Sequence, residues 1–223
     1  MTKKTLQELV CESEKTWELL QSWFKASLVN YEILNTSKEE SEKTLYNLQV
    51  TTRSTLGAIT YKTGGILIDY GWLKILGAGN EKIFGDLLYW NCMKSSYIIR
   101  TIRNSMIVAY DIIGGFFSIN GGAFEGEIGN IFYLPPDTLE WEDMTMGYTD
   151  FIRWILADNL KTFYEGLRWD DWTKDITKIP CDKGLNFYPP LWSEQGSISL
   201  SSRRIVSITE QWESNLEFIE KFK

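Results

Sequence analysis

The sequence predicts an α+β fold, in which a central antiparallel sheet of hairpins, running as a meander, is flanked by N- and C-terminal helices. Three observations predict it. Apolar residues recur at helical spacing near both ends of the chain. Short apolar runs punctuated by glycine pairs fill the middle, and the connections between them are too short for a crossover helix. No long linker or internal repeat divides the 223 residues. One domain is therefore expected over 1–223: helical over 1–50, strand-rich over 51–134, and mainly helical or loop over 135–223.

The elements follow in order. Thr5 and Glu8 stand at the spacing of a capping box, in which each side chain satisfies the other's free backbone N–H. Trp17, Leu20, Phe24 and Leu28 come at steps of three and four, which predicts one helix face. Ser37 and Glu40 repeat the box, and Leu45 and Leu48 continue an apolar stripe. The period then changes. Leu56–Tyr61 predicts a strand, Gly64-Gly65 a tight turn, Ile66–Asp69 the returning strand and Gly71–Leu76 a third. Ile83–Trp90 predicts a short helix. Met106–Tyr110, Phe116–Ile119 and Asn130–Leu134 predict further strands, with Gly114-Gly115 and Asn120-Gly121-Gly122 as turns and Pro135-Pro136 as a stop. Residues 137–176 are expected to be helical, with Phe151, Trp154 and Ile155 on one face and Leu160, Phe163 and Leu167 on another. Phe187–Trp192 and the polar stretch 193–202 read as loop. Ser207 with Glu210 opens a C-terminal helix carrying Trp212, Leu216 and Ile219.

Composition excludes several classes of chemistry. Histidine is absent, which removes Ser-His-Asp and Cys-His nucleophiles, haem His ligation and His-containing zinc sites from this chain. Cys11, Cys92 and Cys181 are too far apart in sequence for a C-x-x-C motif and read as thiols in a reducing compartment. The formal charge is −7, and Lys3-Lys4 and Arg203-Arg204 are the basic clusters. That is no footprint for nucleic acid, which demands a basic face. Gly77-Ala-Gly79 begins like a dinucleotide fingerprint, but Lys82 stands where the third glycine belongs. No cofactor, bound metal or catalytic residue is expected. The N-terminus has no apolar h-region, and Ile107–Ile119 is too short to span a bilayer, so a cytoplasmic protein without a membrane partner is expected. The chain is 43% hydrophobic with 10 Trp, ample for a core without disulfides.

The densest carboxylate group is Asp137, Glu140, Glu142 and Asp143 around Trp141. The Asp-x-x-Glu spacing predicts that Asp137 and Glu140 cap a helix. Alternatively, two of these acids could serve hydrolysis of a glycoside or hold a hard cation. Trp169, Trp172 and Trp192, beside acids and prolines, suit partner anchors or the edge of the core. Asp111, between two apolar runs, reads as a buried polar residue in a paired structural role.

The strings Leu48-Gln-Val-Thr-Thr-Arg53, Thr63-Gly-Gly-Ile-Leu-Ile-Asp69, Gly71-Trp-Leu73, Leu76-Gly-Ala-Gly79, Ala109-Tyr-Asp-Ile-Ile-Gly-Gly-Phe-Phe117, Asn120-Gly-Gly122, Pro136-Asp-Thr-Leu-Glu-Trp-Glu-Asp143 and Phe163-Tyr-Glu-Gly-Leu-Arg-Trp169 cover nearly the whole chain. Together they resemble the bacterial domain-of-unknown-function family 2625. One departure from that family's pattern is Asn80, where a His follows the Leu-Gly-x-Gly run. More loosely, Gly147-Tyr-Thr-Asp-Phe-Ile-Arg-Trp154 after a strand and a polar stretch resembles the ending of the SUKH superfamily. That resemblance implies an α+β fold and a role like that of immunity proteins, which bind and neutralise toxins. The expectation is a non-enzymatic protein-binding module whose partner is a basic protein such as a toxin. Trp141, Trp169, Trp172, Trp192, Asp137, Glu140, Glu142 and Asp143 are its candidate partner-binding residues. A carboxylate- or metal-dependent hydrolase, acting on carbohydrate through Asp137, Glu140 and Glu142, is the alternative.

Overall fold

A computed structural model describes residues 3–93 and 99–222. Helix α1 (Leu6–Leu9) opens the chain, with the Glu8 carboxylate reaching back to the Thr5 N–H at 2.8 Å. Helix α2 (Lys15–Ala26) buries Leu20 and Phe24. Strand β1 (Tyr31–Leu34) follows, then α3 (Lys38–Leu48), whose Ser37 cap accepts from Glu40 N. Next come α4 (Thr55–Lys62), β2 (Gly65–Ile68), a 3-10 turn over Asp69–Gly71, and β3 (Leu73–Leu76). A short helix α5 (Leu87–Trp90) precedes β4 (Ser105–Asp111), β5 (Phe116–Asn120), β6 (Asn130–Leu134) and β7 (Glu142–Gly147).

Among the described residues these seven strands form one antiparallel sheet in sequence order, β1 to β7. The meander is therefore real, and β1 and β7 are its two edges. Beyond it lie α6 (Tyr148–Leu156), α7 (Leu160–Phe163) and α8 (Trp172–Ile176). A separate hairpin of β8 (Lys183–Tyr188) and β9 (Ser202–Ser207) leads into α9 (Ile208–Phe222).

The pleat sends neighbouring side chains to opposite faces, and β5 shows how each face is covered. Phe116 packs on Trp90 of α5 and on Trp212 of α9, the latter at 4.7 Å between ring centroids. Phe117 turns the other way, onto Tyr133 of β6, Phe151 of α6 and Phe163 of α7. Each aromatic pair adds about 0.5–1.5 kcal/mol beyond the area it buries. One apolar cluster runs through both faces, from Leu20 to Leu216.

Several expectations are corrected. Leu56–Tyr61 is helix rather than strand: Ser54 Oγ accepts from Gly57 N and starts α4, whose residues 55–60 are all buried. Burial on every side erases the amphipathic period that marks a helix. Gly64-Gly65 accordingly joins a helix to a strand instead of two strands. The region 1–50 is not wholly helical, because β1 pairs with β2. Leu28 lies past the end of α2 and is 91% exposed. Of Ile83–Trp90, only Leu87–Trp90 is helical. The stretch 137–176 begins with strand β7, so Asp137 and Glu140 have no helix to cap; Leu139 between them takes a left-handed φ of 56°. The expected loop from Phe187 overlaps the end of β8, and Arg203-Arg204 lies in β9.

Candidate functional site

Six of the chain's 30 acidic residues gather near the β7 edge of the sheet. Residues 104–152 contain eight acids and no Lys or Arg, so this stretch alone holds −8 of a total charge of −7. The rest of the chain is nearly neutral. Within the stretch, the β5–β6 loop supplies exposed Glu125 and Glu127, and the β6–β7 turn supplies exposed Asp137 and Glu140. Edge strand β7 adds exposed Glu142 and half-buried Asp143.

Two contacts tie loop and turn together. The rings of Phe124 and Trp141 stack with centroids 4.4 Å apart. Gly126 comes so close to Asp143 that a Cβ there would sit 2.9 Å from its Oδ2. Asp143 is used internally: it accepts from Asn130 Nδ2 at 3.0 Å and from Thr145 N at 2.7 Å, which shapes the start of β7. The other acids face solvent. Partial burial, then the Asp137 charge, raise the Glu142 carboxyl above its usual range, with Glu140 adding to it and the Thr138 hydroxyl opposing. Among the described residues, no Lys or Arg nitrogen lies within 4.0 Å of Glu125, Glu127, Asp137, Glu140, Glu142 or Asp143. Like charge is crowded there without local neutralisation. Ile128, in the same loop, is 73% exposed.

The remaining candidate tryptophans have other surroundings. Trp169 and Trp172 pack on buried Trp72, at 5.7 and 5.1 Å. The Arg168 guanidinium lies 4.2 Å from the Trp172 ring centroid and 4.9 Å from that of Trp72, and pairs with Asp69 at 2.6 Å, whereas Trp169 carries Arg203 at 4.3 Å. Trp192 packs on Phe218 of α9 and shares a small cleft with Pro136, the residue before Asp137. The structure thus brings Trp141 together with Asp137, Glu140, Glu142 and Asp143. Trp192 lies beside the start of that turn, and Trp169 and Trp172 pack together on Trp72, Trp172 against Arg168 and Trp169 against Arg203.

Asp111 is the buried polar centre of the fold. It ends β4 and is fully buried. Its Oδ1 accepts from Gly115 N at 2.7 Å and Ile113 N at 3.1 Å, and its Oδ2 from Tyr133 at 2.8 Å and Tyr164 at 3.0 Å. Burial raises its pKa, and these four hydrogen bonds oppose the rise. Gly115 is needed here, because a Cβ would lie 2.2 Å from Asp111 Oδ2 and 2.4 Å from the Tyr133 hydroxyl. The carboxylate therefore locks the β4–β5 turn to β6 and to the chain after α7, as its sequence position suggests. Among the described residues no three Cys, Asp or Glu side chains converge to hold a metal ion, and no helix is long and apolar enough to cross a membrane.

Residues 6–211 match the family described as "Protein of unknown function DUF2625". The chain belongs to this family. Its relatives include the uncharacterized protein YbfG of Escherichia coli (strain K12), 36% identical over 219 residues and covering 98% of this chain and 99% of that one. An uncharacterized protein of Haemophilus influenzae is 33% identical over 220 residues, 99% of this chain and 96% of its own. Both are bacterial, and neither description carries an activity. Asn80 braces the backbone around it. Its Nδ2 donates to Asn35 O at 2.7 Å and its Oδ1 accepts from Lys82 N at 2.9 Å.

Proposed function

We propose that this bacterial protein is a non-enzymatic binding module of the cytoplasm. Its acidic end, formed by the β5–β6 loop, the β6–β7 turn and strand β7, takes a basic protein partner. The carrying observation is the gathering of six carboxylates, Glu125, Glu127, Asp137, Glu140, Glu142 and Asp143, at that end, where among the described residues no Lys or Arg pairs with them within 4.0 Å. Such a field steers a cationic partner and rejects acidic ones. The half-buried Phe124–Trp141 stack supplies an aromatic anchor of the kind interface hot spots use, and Ile128 of the same loop is exposed. An immunity-like role, in which the basic partner is a toxin held inactive, fits this chemistry. The hydrolase reading fits less well: Asp137, Glu140 and Glu142 all stand exposed, where water screens them.

The test is affinity capture from the producing bacterium with two baits, the wild-type chain and a triple variant Glu125→Lys, Glu140→Lys, Glu142→Lys. One basic protein recovered in stoichiometric amount by the wild type, lost with the variant and released by raising salt, is the expected result. Equal recovery by both baits, or no stoichiometric partner with either, would refute the proposal.

A further inference from the structure

The sheet face that carries Tyr110 and Phe116 also buries a lysine. Lys74 sits in the middle of β3, between Leu67 of β2 and Tyr110 of β4, and is 4% exposed. Among the described residues its ammonium makes no hydrogen bond and no ion pair; its Nζ lies 5.3 Å from the centroid of the Tyr110 ring. Asp111 follows Tyr110 on β4 and points to the opposite face, where the two tyrosines engage it. Burial pulls the Lys74 pKa down to about 8, while the charges of Asp111 and Cys181 act in the other direction.

Lys74 opens on a cavity of about 340 Å³ under α8 and the turn before β8. Leu67, Ile112, Ile176 and Ile179 form its walls. The other charged or titratable groups lining it are Tyr70, Glu81, Lys82 and Cys181. Lys82 is already paired with Glu32 at 2.5 Å, and the Cys181 thiol donates to Glu81 O at 3.3 Å. Lys74 is thus left with an aromatic face and no paired anion, at a cavity that joins an apolar wall to a polar one where Glu81 and Lys82 stand. A buried ammonium is costly without a counter-ion, and an ion brought to it out of water is attracted strongly. The volume lies in the range of small-molecule sites.

We propose that this cavity binds a small ligand with a single carboxylate head, paired with Lys74 Nζ, and an apolar body of several carbons lying against Leu67, Ile112, Ile176 and Ile179. A phosphate dianion would bring two charges to one cation and no apolar body to the walls. A cationic head would meet the lysine's own charge.

Calorimetric titration with butyrate, hexanoate and octanoate, and with hexanol, hexylamine and inorganic phosphate, tests this. Hexanoate should bind saturably and more tightly than butyrate, and hexanol, hexylamine and phosphate at least tenfold more weakly. Lys74→Met should weaken hexanoate at least tenfold. Ile179→Trp, which fills the chamber and leaves the lysine, should do the same and decides the matter if the first variant misfolds. In the wild type, the Lys74 side-chain resonances should report an upward pKa shift on adding hexanoate. Failure of all three carboxylates to bind saturably, equal hexanoate binding by well-folded Lys74→Met, or phosphate binding as tight as hexanoate would each overturn the proposal.

Discussion

Asp111→Ala should be among the most damaging single substitutions in this protein. The carboxylate answers four buried donors: the N–H groups of Ile113 and Gly115 and the hydroxyls of Tyr133 and Tyr164. Alanine removes every acceptor at once. A buried donor left without a partner costs about 1–3 kcal/mol. Four of them, partly relieved by water entering the space of the lost carboxyl, give a loss of at least roughly 4 kcal/mol. That is comparable with the whole stability of a marginal domain, about 5–15 kcal/mol. In a chain of this size it lowers the melting temperature by roughly 8–16 °C. Tyr133→Phe and Tyr164→Phe each remove one charge-assisted hydrogen bond and should cost about 1.5–3 kcal/mol. In the Asp111→Ala background either change should cost far less, since the hydroxyl no longer has its acceptor. Urea titrations of the single and double variants, followed by tryptophan fluorescence, measure these values and the coupling. If Asp111→Ala loses less than about 1 kcal/mol, or the double variants are simply additive, the carboxylate does not hold the turn together.

Other outcomes follow from the same geometry. Gly115→Ala should destabilise by about 3 kcal/mol or more in the same titration, because its Cβ would overlap Asp111 and Tyr133. Arg168→Lys keeps the charge but loses the planar stack on Trp172 and the geometry of the Asp69 pair, and should cost about 2 kcal/mol by urea midpoint. Lys74 has a depressed folded-state pKa, so the folded chain binds fewer protons than the unfolded chain between about 8 and the ordinary lysine value of 10.5. Stability from this group is therefore present above the unfolded value and is lost as pH falls through about 8. Lys74→Met should be more stable than wild type by up to roughly 3 kcal/mol at pH 7, a gap that closes as pH rises toward 10.5 in paired denaturation series.

The middle of the fold was legible because its strands are bounded by turn residues whose conformations are specific. Gly114-Gly115, Asn120-Gly121-Gly122 and Pro135-Pro136 delimit β4, β5 and β6 to within a residue or so. Elements at the periphery or wholly inside were harder to read. Strand β7 is an edge, and edges carry charge that blunts further pairing, so Glu142-Asp-Met-Thr-Met-Gly opens on two acids and shows its apolar alternation in only Met144 and Met146. Helix α4 is buried on all sides and shows no polar stripe. The β8–β9 pair is joined through the long loop 189–201, which hides the hairpin. At the candidate site, the carboxylate group around Trp141 was legible, but its spacing suggested capping. Glu125, Glu127 and Ile128 join it only through the fold. Lys74 gave no signal at all, because a lysine within an apolar run ordinarily marks the solvent side of a strand.

The central claim is that the β7 end of the sheet is where a basic partner docks. It is tested most directly by placing a photoreactive amino acid at Trp141 and, separately, at Glu32 on the β1 edge, about 29 Å away across six strand spacings. Irradiation in the producing bacterium should yield one cross-linked product from position 141, containing a basic protein, and none from position 32. A product from position 32 alone, or no product from either, would contradict the account.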